Sequence, residues 1–141
     1  MNVKRLIAML ERHEGLRLKP YRCPAGKLTI GVGRNLEDAG ISREEAYFLL
    51  NNDIYRALAI AQEFLGREVW EKLSAPRQEV LVNMAFNLGA GGLAKFKRMR
   101  QAIIAGDYEK AAREMLDSNW ARQVGSRATE LAQIMRTNQV G

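Results

Sequence analysis

At 141 residues and 47% apolar side chains, the chain is long enough to bury a core, which argues against disorder and suits one domain or two tightly packed lobes. A net charge of +6 favours an anionic partner: nucleic acid, a phosphate-bearing surface or an acidic cell wall. The single Cys excludes an internal disulfide, one Cys and one His make no zinc set, and no apolar run approaches the roughly 18 residues of a membrane span.

Asn2 is placed to cap a first helix with the apolar stripe Val3, Leu6, Ile7 and Leu10, and Gly15 is placed to end it. The charges at Lys4, Arg5, Glu11 and Arg12 make this a poor secretory signal. Glu14 continues the series Val3, Ile7, Leu10 at helical spacing, so its carboxylate is expected on the packed face or its rim. Burial disfavours a carboxyl's charged form, and an acid that keeps its proton can give it to a leaving oxygen. The plainer reading is an ion pair with Arg17, Arg34, Arg122 or Arg127.

Residues 18–33 read as a hairpin with Pro24-Ala25-Gly26 as its turn. Cys23, after Arg22 and before that turn, is expected at the tip, partly exposed; a nearby Arg favours the thiolate, a nucleophile and a base. In the second strand Leu28, Ile30 and Val32 alternate with Thr29, Gly31 and Gly33. The first set is expected to pack. The second is expected to form an open floor, with a hydroxyl to place water or a sugar and room for a ligand against backbone. The plainer readings are a small buried Cys, a Thr of ordinary β preference and glycines that ease a bend.

Ser42 and Glu45 form a capping box for a long helix over about 43–65. A shorter segment holds Val69, Trp70 and Leu73. Ser74 then opens a helix that Gly89-Ala90-Gly91-Gly92 breaks, and further helices are expected over about 93–104, 108–116 and 127–136. The fold class is therefore α+β and mostly helical: a hairpin lobe at about 15–41, the long connecting helix, and a helical lobe at about 66–141 with residues 1–14 packed on it. A cleft between lobes is a usual substrate site.

Eight residues separate Glu14 from Cys23, and five separate Cys23 from Thr29. The pattern E-G-L-R-L-x-x-Y-x-C-x-x-G-x-x-T-I-G-x-G resembles the phage T4-type lysozymes, glycoside hydrolase family 24. Asn83 to Gly89, Phe96, Ser118-Asn119-Trp120 and Gln123 to Arg127 resemble that family's later segments, in the right order. The resemblance implies a lysozyme-like fold and cleavage of the β-1,4 bond between N-acetylmuramic acid and N-acetylglucosamine in bacterial peptidoglycan. It implies Glu14 as general acid, completed by Cys23 and Thr29, with Gly31, Asn87, Phe96 and Arg127 toward the substrate. Arg127 would sit near the acid, able to pair with Glu14.

Two departures stand out. Cys23 occupies a position often held by Asp, leaving it as base, nucleophile or bystander and the anomeric outcome open. The connection from Arg34 to Asp53 is short, so the hairpin lobe is expected to lack a third strand. Arg34, where the family often has His, is expected to pair with Asp53 in a structural role. No cofactor or metal is expected, nor a nucleic-acid partner, since the bases around Phe96 and Met99 fit the solvated side of a core helix. With no secretory signal read at the N-terminus, synthesis in the host cytoplasm and release to the wall through a membrane lesion, as a phage holin would provide, are expected, and a monomer is the default. Alternatives on the same fold are a lytic transglycosylase and a non-catalytic wall-binding or phage structural component.

Overall fold

The structure, a computed structural model, describes residues 1–140. The chain divides into two compact units, 1–48 and 49–141. The first opens with helix α1, Val3–Glu14, capped by Asn2, whose side-chain oxygen accepts the Arg5 N–H. Gly15 ends it at φ 77°, its N–H closing on the Glu11 carbonyl.

Strands β1 (Arg17–Arg22), β2 (Leu28–Gly31) and β3 (Arg34–Asn35) follow in one antiparallel sheet, in the order β1-β2-β3. The β1–β2 register slips between Arg17 and Tyr21, where Pro20 has no N–H to give the ladder. The third strand corrects the expectation that the short connection would omit it. Two residues suffice because Asn35 both pairs with Thr29 and caps helix α2, Leu36–Ala39.

Helix α3, Arg43–Leu65, has 23 residues and is about 35 Å long. Its capping box is present: Glu45 N–H donates to Ser42 Oγ at 3.1 Å, and Ser42 N–H to Glu45 Oε1 at 2.8 Å. The first six residues of α3 belong to the first unit and the rest to the second.

The second unit continues with α4 (Arg67–Lys72), α5 (Ala75–Ala94), α6 (Lys97–Ile104), α7 (Tyr108–Leu116), α8 (Asn119–Val124) and α9 (Ser126–Thr137). α5 breaks at Gly89, where φ is 72°, yet winds on to Ala94 through the glycine run. Four-residue α2 and six-residue α8 were not expected, being too short to show an apolar period.

The core belongs to this unit, where α5 packs on α9, α6 on α7, and α7 on α9. Leu81, Met84, Leu93, Met99, Met115 and Met135 are fully buried. Leu81→Ala is expected to cost about 2–5 kcal/mol, read as a fall in denaturation midpoint. Among the described residues the first unit buries only Thr29. Its shape therefore rests on strand pairing, caps and three ion pairs: Arg22–Glu37, Lys27–Asp38 and Arg34–Glu45.

Candidate active site

Glu14 is the last residue of α1 and is exposed, as are the stripe residues Val3, Ile7 and Leu10. This corrects the expected burial. Helical spacing identifies a face, but not whether anything covers it. Nor is Glu14 an ion-pair partner within its unit. Arg17 lies over the Tyr21 ring at 4.6 Å, and Arg34 is held by Glu45. What Glu14 does touch is Gly33. A Cβ built on that glycine would stand 2.9 Å from Glu14 Oε2 and 3.0 Å from its Cδ. The carboxylate rests on bare backbone in the β2–β3 turn.

On the same sheet Cys23 and Thr29 come together. The turn forms as the sequence suggests: Gly26 N–H donates to the Cys23 carbonyl at 2.8 Å, with Pro24 at the first central position. This folds backbone N–H groups around the half-exposed Cys23 sulfur. Its pKa is lowered from 9.0, first by the Lys27 N–H, with further help from the Ala25 N–H and the Thr29 hydroxyl, while desolvation opposes. The donors of the turn favour the thiolate at this position.

Thr29 is 3% exposed, and its hydroxyl donates to the Lys27 carbonyl at 2.8 Å. The open floor expected on this side is therefore closed at Thr29. Leu28, Ile30, Gly31 and Gly33 are half-buried, and Val32 is exposed. A hydroxyl with a backbone acceptor two residues away tolerates burial. Gly31, at φ 69°, ends the strand two residues on, about 7 Å from Thr29.

The expected Arg34–Asp53 pair is corrected too. Arg34 Nη2 lies 2.6 Å from Glu45 Oε2, and Nη1 donates to Glu45 Oε1 at 2.7 Å. Asp53 pairs with Arg56 one turn along α3, at 3.5 Å. The capping box had already turned Glu45 back toward the helix start, where the β3 guanidinium meets it in bidentate geometry. The Glu45 carboxyl is lowered from 4.5 to about 2, first by the hydrogen bond from Arg34, then by the Ser42 N–H.

A folded-state pKa below the unfolded one stabilises the fold above the unfolded value. The Glu45 contribution should therefore be complete above pH 4.5 and fade as pH falls through about 2. Acid titration of the β3 amide signals should follow that window in the native protein. In Glu45→Gln the window should vanish.

The remaining candidates lie in the second unit. Asn87 is exposed, and its Oδ1 accepts the Trp120 indole N–H at 2.7 Å, leaving the amide N–H groups for a ligand. Phe96 meets Trp120 edge-on, ring centres 5.9 Å apart. Phe96 and Trp120 line a cavity of about 680 Å³ with Leu88, Lys95, Lys97 and Arg98. Arg127, from the first turn of α9, is held by Asn83 of α5, which accepts Nε at 3.0 Å and Nη2 at 2.7 Å. Both border a second, apolar cavity of about 490 Å³ with Ile54 and Phe86. Sequence reasoning missed the work of Trp120 and Asn83. Each sat in a segment that carried the resemblance, but a hydrogen bond across 33 or 44 positions leaves no local signal.

The sequence profile described as "Phage lysozyme" matches residues 11–137. The chain is 34% identical to the "Pre-baseplate central spike protein Gp5" of Enterobacteria phage T4 over 92% of its own length, but spans only 27% of that protein. It is 28% identical to an "Endolysin" of Acyrthosiphon pisum secondary endosymbiont phage 1, over 94% of this chain and 89% of that one. It is 25% identical to "Probable T4-type lysozyme 2" of Dictyostelium discoideum, covering 96% and 95%. Matched by that family profile over residues 11–137, the chain belongs to the phage lysozyme family.

Proposed function

We propose that the chain is an endolysin-type muramidase that hydrolyses the β-1,4 bond between N-acetylmuramic acid and N-acetylglucosamine, with Glu14 protonating the leaving oxygen. The observation that carries this is the Glu14 carboxylate, exposed and free of the cations of its own unit, resting on Gly33 in the sheet that holds Cys23 and Thr29. Cys23, as thiolate, activates the attacking water, and Thr29 shares its hydroxyl proton between the Lys27 carbonyl and the sulfur. Gly31 in the first unit, and Asn87, Phe96 and Arg127 in the second, are each a candidate for contact with the glycan by the family resemblance. The net positive charge draws the enzyme to an anionic wall.

The protein acts as a monomer. No helix among the described residues is long and apolar enough to cross a membrane. The route from cytosol to wall is a lesion made by a holin.

The test is the chemistry of the new glycan ends, read by mass after digestion of purified peptidoglycan. Reducing muramic ends support hydrolysis. Anhydro-muramic ends would move the assignment to a lytic transglycosylase, in which a single carboxyl serves as acid and base. The similarity to a spike protein favours a second reading, the same unit working within a phage particle. Lysis of permeabilised cells by this chain alone would count against that reading.

A further inference from the structure

We propose that Arg34 and Glu45 are positioning residues for Glu14: their ion pair fixes the Gly31–Gly33 turn, and the backbone of that turn fixes the carboxylate. The inference rests on Glu14 being the proton donor.

Three contacts tie the turn down. Arg34 follows Gly33 directly. Its Nη1 donates to the Gly40 carbonyl at 3.2 Å and to Glu45 Oε1 at 2.7 Å, and Nη2 meets Glu45 Oε2 at 2.6 Å. Glu45 is itself anchored by the Ser42 N–H. One guanidinium therefore joins β3 to the loop after α2 and to the first turn of α3. In a core this would be incidental. Here Thr29 is the only fully buried side chain among the described residues of the unit, so little apolar packing holds β3 in its place.

Gly33 passes that constraint to Glu14. Its φ of 69° disfavours any side chain, and a Cβ there would stand 2.9 Å from Oε2, 3.0 Å from Cδ and 3.1 Å from Cγ. The acid thus lies directly on the segment that Arg34 holds. A displacement near 1 Å at a reacting group costs up to about 100-fold in rate.

The test uses the full chain with Arg34→Ala, Arg34→Lys and Glu45→Gln. Asp38→Asn serves as control, since it breaks another exposed ion pair of the unit. Two quantities are read at a temperature where every variant is folded. One is kcat and KM on soluble peptidoglycan fragments. The other is the nuclear Overhauser contact between the Glu14 γ-protons and the Gly33 α-protons.

Arg34→Ala and Glu45→Gln should lower kcat about 10- to 100-fold with KM little changed, and should lose the contact. Arg34→Lys, which keeps the charge but not the fork, should recover part of both. Asp38→Asn should change neither. A native kcat and an intact contact in Arg34→Ala would overturn the proposal, as would a fall in kcat that only matches the loss of folded protein. The contact is read independently of chemistry. If Glu14→Gln stays active while Arg34→Ala loses the contact, the acid assignment fails and the positioning role stands.

Discussion

Glu14→Gln should fold like the native protein and lose peptidoglycan cleavage by about 10²–10⁴-fold. Folding is spared because the side chain is exposed and has no ion-pair partner within its unit, so the isosteric amide leaves no charge unpaired. An exposed acid with no ion-pair partner in its unit contributes little to stability. Unfolding midpoints and initial cleavage rates on the same preparations check both halves.

Cys23→Ser should lose about 100-fold in rate, and Cys23→Asp should keep activity. The turn stabilises an anion at this position through the Lys27 and Ala25 N–H groups and the Thr29 hydroxyl. A serine hydroxyl stays neutral there, while an aspartate uses the same donors. The pH profile separates these cases. The thiol ionises below its ordinary 9.0, so the native rate should rise with pH as the thiolate forms. In Cys23→Asp that rise should move toward the ordinary carboxylate range near pH 4. A small thiol-blocking reagent should stop the native enzyme and leave Cys23→Asp untouched. Normal activity in Cys23→Ser would make the thiol a bystander, and retention of anomeric configuration would make it a nucleophile.

What was legible in the sequence follows a physical divide. Asn2 with Arg5, Gly15 with Glu11, the Pro24–Gly26 turn and the Ser42–Glu45 box all join partners within four residues, and each appears as expected. Properties that depend on distant chain were misread. The stripe through Glu14 was real, but the residue is exposed. The alternation of β2 was real, but its fully buried residue is Thr29, while Leu28 and Ile30 are half-buried. The sequence pairs Arg34 with Asp53 on α3, whereas the capping box on the same helix presents Glu45. The alternation of β2 makes Gly33 an open floor for a ligand, whereas it is the surface on which the Glu14 carboxylate lies.

In the proposed reaction, water attacks a bond that Glu14 protonates. The most direct measurement digests purified peptidoglycan in heavy-oxygen water with the native protein and Glu14→Gln in parallel, and weighs the new ends. Reducing muramic ends that carry the heavy oxygen, made by the native protein and absent from the variant, are the expected result. Unlabelled anhydro ends, or native-rate cleavage by Glu14→Gln, would contradict it.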